Sequence, residues 1–336
     1  MKEPPKHILA IRLSALGDVA MTLPILYAVA RKYPALRITL LTRPFFGRLF
    51  INKPSNLQII PWEKGVSTFR ILKQVAALRP DAIADLHNVL RSWTIDTFFR
   101  LKGVPVVMVD KKREERRRIT SGGKQIELER FTDRYAGVFA RLGYPVEPDF
   151  VSLFAEQTLP EAPIEILSPA IGIAPFARYY TKTYPIDQMK EVVRLLSERG
   201  YHIYLFGGKN EVATFLPWVE AFPQVHSLAG AYGIEEELFL MSQMNLMVSM
   251  DSANQHLASL VGIPALTIWG GTTPECGFLG YGQSVENTLC LHLDCQPCSI
   301  AGTPHCKKQT LACMREISPG IIVEKILQMS GRSSIT

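Results

Sequence analysis

One architectural phrase is written twice in this chain of 336 residues. The first copy opens it. His7-Ile8-Leu9-Ala10-Ile11-Arg12-Leu13 reads as a buried strand, Ser14-Ala15-Leu16-Gly17-Asp18 as a tight turn, and Val19 to Tyr33 as an apolar-striped helix. The second copy lies far downstream: Leu246-Met247-Val248-Ser249-Met250 is a strand, Asp251-Ser252-Ala253-Asn254 a turn, and His256 to Val261 a helix closed by Gly262. A strand that feeds a small-residue turn into a helix sets backbone N–H groups, and the positive end of a helix dipole, at the carboxyl edge of a sheet. Open α/β sheets bind their ligands at that edge. Two such edges imply two nucleotide-type domains facing a shared cleft.

The segments between the copies agree. Strand patterns at Arg37–Leu41, Leu57–Ile60, Ala82–Leu86 and Val104–Val109 alternate with helical patterns at Pro44–Phe50, Phe69–Leu78, His87–Leu101 and Arg130–Leu142. A proline-rich stretch from Gly143 to Pro169 reads as the linker. The alternation then restarts, with strands at Ala170–Ala174, Tyr201–Phe206, Val225–Leu228 and Ala265–Trp269. Helices fall at Ile186–Glu198, Glu211–Phe222 and Ile234–Gln243. An amphipathic helix at Pro319–Met329 ends the pattern and is free to pack back on the first domain. The expected fold class is α/β: two doubly wound, Rossmann-like domains over residues 1–150 and 151–336, each a parallel sheet covered on both faces.

Charge divides along the same line. Residues 1–150 carry 26 Lys and Arg against 14 Asp and Glu, a net of +12; the remainder carries a net of −6. The densest basic run, Lys111 to Arg118, reads residue by residue as a solvated charged loop. The domain-wide asymmetry points further, to a polyanionic partner such as nucleic acid, an anionic membrane surface or a phosphorylated acceptor. No apolar run reaches the ~18 residues that a membrane span needs. The residues before the first strand are too few and too polar for a signal peptide, so the expected location is cytoplasmic.

Neither turn matches Gly-x-Gly-x-x-Gly, and there is no phosphate-binding loop of the Gly-x4-Gly-Lys-Ser/Thr kind, which argues against dehydrogenases and P-loop enzymes. Asp18 fits both a helix-capping role and a general base at the sheet edge. Lys182, after Tyr179-Tyr180-Thr181 and before Tyr184-Pro185, is either a solvated loop lysine or a cation for a diphosphate. Glu211 is either a first-turn acid favoured by the helix dipole or a ribose contact. In Asp251-Ser252-Ala253-Asn254-Gln255-His256 the small residues let a phosphate approach the helix, Ser252 offers a hydroxyl, and His256 stands one turn inside, as a core histidine or an anion contact. Cys295-x2-Cys298-x7-Cys306-x6-Cys313 reads as buried thiols in an irregular loop in preference to structural zinc, since only its first pair has zinc-type spacing. Cys276 and Cys290 read as core cysteines.

Ile8 through Val19, with Thr22-Leu23-Pro24 after it, resembles the opening of glycosyltransferase family 9, the lipopolysaccharide heptosyltransferases. Asp85-Leu86-His87-Asn88 through Arg91-Ser92 resembles that family's fourth strand and turn, and Lys182-Thr183-Tyr184-Pro185 its Lys-x-aromatic-Pro element. Ser249-Met250-Asp251-Ser252-Ala253 with His256-Leu257-Ala258, then Gly262-Ile263-Pro264 and Trp269-Gly270, resembles its donor-binding signature. The resemblance spans residues 8 to about 327 and implies a GT-B fold. It implies an acceptor-binding first domain, with Ser14, Gly17 and Arg91 at the acceptor, and a second domain that binds an ADP-sugar. It further implies transfer that inverts the anomeric centre with no metal and no cofactor. Asp18 matches the base, Lys182, Asp251, Ser252, Ala253 and His256 the donor contacts, and Glu211 the ribose contact. The implied partners are an ADP-sugar, a phosphorylated glycolipid acceptor and the anionic inner face of the cytoplasmic membrane, on which the protein would sit peripherally. This chain departs from the family in having Ser252-Ala253 where Thr-Gly is frequent, and Ala177 and Arg178 where hydroxyl residues are frequent.

Two other readings compete. A nucleic-acid-binding protein would interleave aromatics with its basic residues for base stacking, and Lys111–Arg118 contains none. A GT-B epimerase would turn over a nucleotide-sugar with no acceptor.

Overall fold

Among the described residues every strand but one is followed by an α-helix before the next strand, and neighbouring strands pair in parallel. The computed structural model describes residues 4–121, 126–155 and 163–331. In chain order its elements begin with β1 (His7–Ile11), α1 (Leu16–Lys32), β2 (Arg37–Thr42), α2 (Pro44–Gly47), β3 (Leu57–Pro61) and α3 (Thr68–Ala77). Then come β4 (Ala82–Asp85), α4 (Leu90–Leu101), β5 (Val106–Met108), α5 (Arg113–Thr120) and α6 (Phe131–Arg141). After residue 151 follow β6 (Ala170–Ala174), α7 (Ile186–Ser197), β7 (His202–Leu205), α8 (Val212–Ala221), β8 (Val225–Ser227) and α9 (Ile234–Ser242). The last are β9 (Leu246–Met250), α10 (Ala253–Leu260), β10 (Ala265–Ile268), β11 (Thr288–Leu289), α11 (Ala312–Arg315) and α12 (Pro319–Met329).

The chain divides into two compact units, Met1–Lys112 with Glu129–Val151, and Arg113–Leu128 with Ser152–Thr336. The first unit's sheet has the order β3-β2-β1-β4-β5 and is parallel throughout. Leu9, Ile11, Leu41 and Ile83 turn one face toward Ile71 and Val75 of α3 and Ile95 and Phe99 of α4. At about 25 cal/mol per Å² of apolar surface removed from water, such burial is the main source of the unit's stability. The second unit's sheet has the order β11-β10-β9-β6-β7-β8. Its core joins Ile171, Ile173, Val248 and Ile268 to Met189, Val192 and Leu196 of α7 and to Ile322, Val323 and Ile326 of α12. The terminal helix thus packs on α7, within its own unit.

Three expectations need correction. The helix expected from His87 begins only at Leu90, because Asp85 captures the N–H groups of His87 and Asn88, at 2.8 Å each, and holds Asn88 at φ +51°. The run Lys111–Arg118 is no loop: from Arg113 it is the helix α5, with an i,i+4 pair between Arg118 and Glu114. Its buried residue, Ile119, packs with Leu128 and Cys276. Because residues 113–128 group with the second unit, the net charges of the two units are +10 and −4. Residues 156–162 of the expected linker lie outside the described residues. No described helix is long and apolar enough to cross a membrane.

Candidate active site

In both sheets the strand order reverses direction beside the strand that starts the unit, between β1 and β4 in one and between β6 and β9 in the other. These are topological switch points, where the loops on either side diverge and leave a crevice at the carboxyl edge.

At the first switch point, Asp18 stands in the first turn of α1. One carboxylate oxygen accepts the N–H of Ala15 at 3.1 Å, so Asp18 does cap the helix. It also faces Arg12, with Nη2 to Oδ2 at 2.8 Å, and it remains 26% exposed while Arg12 is 5%. Burial alone would depress the Arg12 guanidinium; Asp18, with lesser help from Tyr135 and Asp85, holds it above its ordinary value. Arg12 is anchored in turn by donation to the Leu86 carbonyl at 2.6 Å. The capping and functional readings are therefore compatible: a buried cation fixes a carboxylate that still reaches solvent. Ser14 is exposed beside it and Gly17 half-buried.

The turn after β4 brings up a residue that the motif reading left without a role. His87 lies with Nε2 3.4 Å from Ser14 Oγ, and its Nδ1 has no partner among the described residues. Burial, then the Arg12 and Lys111 charges, pull its imidazole down to about 3 against the opposing pull of Asp18. It is neutral at physiological pH. Asp85 builds this turn by accepting from Ser92 Oγ at 2.7 Å as well as from the two backbone N–H groups. Behind it, burial and the Asp85 charge push the Asp96 carboxyl up to about 8. Arg91, in the first turn of α4, is exposed.

At the second switch point, Lys182 Nζ lies 2.8 Å from Asp251 Oδ2, and the side chains are 12% and 5% exposed. Asp251 also accepts from Thr272 Oγ1 at 2.5 Å and Gln255 Nε2 at 3.2 Å. Both of its oxygens are occupied within the chain, and one of them fixes the position of Lys182 Nζ. Ser252 is the N-cap of α10, its hydroxyl accepting the Asn254 N–H at 3.4 Å and lying 3.1 Å from Ser249 Oγ. Ala253 opens the helix and His256 is buried in its second turn. The Lys182 turn is seated by Tyr184, whose hydroxyl donates to the Ile317 carbonyl at 2.6 Å. It is also seated by the Gly271 N–H, which donates to the Thr181 carbonyl at 2.6 Å. A Cβ on Gly271 would lie 2.9 Å from Thr181 Cβ, so only glycine permits this approach. Glu211 sits one strand further out, after β7, where it leads into α8. Its carboxylate lies over Gly208, with Oε2 3.0 Å from where a Cβ there would stand.

The four clustered cysteines, with Thr181 and Gly271, line one cavity of about 380 Å³ in the second unit. All are free thiols; Cys313 is buried and the others half-buried. Among the described residues no group of three or more His, Cys, Asp or Glu side chains is arranged to hold a metal ion. Cys276 is buried as expected, whereas Cys290 is only half-buried.

Comparison with known proteins bears on this geometry. The chain is 24% identical over 322 residues to lipopolysaccharide heptosyltransferase 1 of Pseudomonas aeruginosa, covering 87% of this chain and 86% of that protein. The glycosyltransferase family 9 structure from Veillonella parvula superposes with a TM-score of 0.73 at 17% identity, covering 98% of each chain. The E. coli heptosyltransferase WaaC with ADP-2-deoxy-2-fluoro heptose gives a TM-score of 0.64 at 16% identity, covering 96% of this chain and 99% of that one. The fold they share with this chain is GT-B. The sequence profile of glycosyltransferase family 9 (heptosyltransferase) matches residues 69–308. By that match, which spans most of its length, the chain belongs to glycosyltransferase family 9.

Proposed function

We propose that this protein is an inverting transferase that moves a heptose from an ADP-sugar to the phosphorylated inner core of a lipopolysaccharide precursor. The observation that carries the reading is the Lys182–Asp251 pair beside the capped N-terminus of α10. It is a fixed cation next to oriented N–H groups, the arrangement that a departing diphosphate requires. The second unit then holds the donor and the first the acceptor.

In this reading Asp18 takes the proton of the acceptor hydroxyl as that oxygen attacks C1 of the donor sugar. The bond from C1 to the diphosphate oxygen breaks, ADP leaves with the bonding pair, and the configuration at C1 inverts. Lys182, His256 and the N–H groups of the Ser252 turn meet the charge that grows on the diphosphate. Asp251 acts through Lys182, Glu211 meets the ribose hydroxyls, and Ser14 and Gly17 border the acceptor. The E. coli relative's complex with an ADP-heptose analogue supports the donor class. The +10 charge of the first unit suits a phosphorylated glycolipid on an anionic membrane surface, with the protein peripheral on its inner face.

The test is ADP release from ADP-heptose, with and without isolated core glycolipid. The reading requires release that depends on the acceptor, and a glycolipid product heavier by one heptose. Donor turnover of equal rate without acceptor would contradict it and favour an epimerase or hydrolase.

A further inference from the structure

The four clustered cysteines serve neither the base nor the donor contacts, and they do not share one environment. Cys295, Cys298, Cys306 and Cys313 line the cavity of about 380 Å³ in the second unit, with Lys307 and Lys308 beside them. Burial pushes the Cys313 thiol up to about 12 and raises that of Cys298, so both stay protonated at neutral pH. Burial would raise Cys306 as well, but the backbone N–H groups of Leu311, Lys308, Thr310 and Gln309 bring it below its ordinary value. The Gln309 N–H also donates to the Cys306 carbonyl at 3.0 Å, and the turn takes Gln309 and Leu311 into left-handed backbone at φ +58° and +51°. Backbone N–H groups wrapped around a sulfur favour its thiolate. Cys298 is close enough to feel the Cys306 charge. Among the described residues the thiols form no group arranged for a metal ion.

The turn that carries Lys182 rests on this cysteine loop. Cys298 donates from its N–H and its Sγ to the Gly271 carbonyl, at 3.0 Å and 3.4 Å, and the Ser299 N–H reaches the same oxygen at 3.1 Å. The Thr181 hydroxyl donates to the Thr303 carbonyl at 2.7 Å and accepts the Thr303 N–H at 2.9 Å. A Cβ on Gly302 would stand 2.5 Å from Lys182 Cδ. A thiolate beside protonated thiols is the arrangement in which an oxidised sulfur is resolved as a disulfide. We infer that Cys306 and Cys298 are a peroxide-reactive pair whose oxidation unseats the Lys182 turn. The Cys306 thiolate attacks one peroxide oxygen; the S–O bond forms, the O–O bond breaks and hydroxide leaves. The Cys298 sulfur then displaces that oxygen from Cys306; the S–S bond forms, the S–O bond breaks, and the departing hydroxide takes the Cys298 proton as water. The two sulfurs lose two electrons in all, and one peroxide gains them. With the proton goes the Cys298 donation from Sγ to Gly271. The reactive pair stands without the transfer reading; its effect on a bound donor rests on that reading.

The test uses the full chain and hydrogen peroxide in slight excess, with peptide mass spectrometry and ADP calorimetry on the same samples. The expected product is one disulfide between Cys298 and Cys306, lighter by two hydrogens and reversed by dithiothreitol. ADP binding should weaken about 2- to 12-fold, the loss of one hydrogen bond, and recover on reduction. Cys306→Ser should form no disulfide in this loop and keep its ADP affinity under peroxide. Cys298→Ser should stop at a sulfenic acid on Cys306, which dimedone traps. Should either variant fail to fold, the wild-type mapping decides: a disulfide at another pair, or a Cys306 that reacts no faster than Cys290, overturns the pair. Oxidation of the pair with unchanged ADP affinity overturns its coupling to Lys182. One equivalent of a metal ion retained by the untreated chain overturns both, since the thiolates would then be its ligands. No ADP binding by the reduced chain would refute the transfer reading and leave the pair standing.

Discussion

Lys182 and Asp251 form a nearly buried ion pair, 2.8 Å between Nζ and Oδ2, across the switch point of the second sheet. Lys182 arrives after β6 and Asp251 after β9, so the pair ties together two loops that diverge there. Desolvating two charges is costly, and removing only one partner leaves the other uncompensated.

Asp251→Ala should therefore cost about 3–5 kcal/mol of stability and abolish measurable donor turnover. The double variant Asp251→Ala/Lys182→Met should recover part of the melting temperature and none of the activity. Thermal melts and ADP-release kinetics on both proteins check this. A single variant that melts like the wild type would show that the pair is not structurally coupled.

Gly271→Ala tests how the lysine turn is seated. The new Cβ would meet Thr181 Cβ at 2.9 Å and push the turn off the end of β10. Overpacking of this kind costs about 1–3 kcal/mol, and the displaced Lys182 should raise the donor KM while acceptor affinity is preserved. Steady-state kinetics with each substrate varied in turn would show it. An unchanged donor KM would mean that the turn tolerates the shift.

Asp96 gives a pH dependence of definite sign. Burial and the Asp85 charge raise its carboxyl from 3.8 to about 8 in the folded chain. Between those values the unfolded chain has released a proton that the folded chain keeps, so this group lowers stability as pH rises from about 4 to 8. Asp96→Asn removes the effect. Its stability should match the wild type near pH 4 and exceed it increasingly toward pH 8, by an amount on the order of a few kcal/mol, with a melting temperature that rises in step. Parallel melting curves across that range would refute the account.

The charge of the first unit predicts membrane association that is electrostatic in kind. The full chain should co-sediment with anionic vesicles and not with neutral ones. Binding should fall as salt shortens the screening length below ~8 Å. Salt-insensitive binding to both vesicle types would contradict it.

Most of the fold was legible because strand and helix periods differ and most helices close on glycine or proline. Leu246–Met250 and Ala170–Ala174 are buried throughout and almost wholly apolar, as parallel strands covered on both faces are. What escaped was decided by single side chains. Nothing in the pattern around His87 shows that the Asp85 carboxylate will capture two N–H groups and delay α4 by three residues. The helix α5 escaped because its only buried side chain is Ile119, so it carries no apolar stripe. At the site, Ser252 and Lys182 could be found from their turns. That Asp251 pairs with Lys182 across two distant loops was not legible, since sequence does not show which residues of separate turns meet. His87 could have been suspected as a polar residue at the end of the strand beside β1.

The central claim is that Asp18 is the base of a transfer whose nucleotide is held elsewhere, and Asp18→Asn tests it most directly. Asparagine keeps an oxygen for the Ala15 N–H and so keeps the cap, but it cannot take a proton. The decisive measurement is the transfer rate of this variant at saturating ADP-heptose and core glycolipid, alongside its affinity for ADP by calorimetry. The account predicts a kcat lower by about 10²–10⁴ and an ADP Kd within a factor of about two of wild type. Near wild-type turnover would contradict it and leave Asp18 as a helix cap alone.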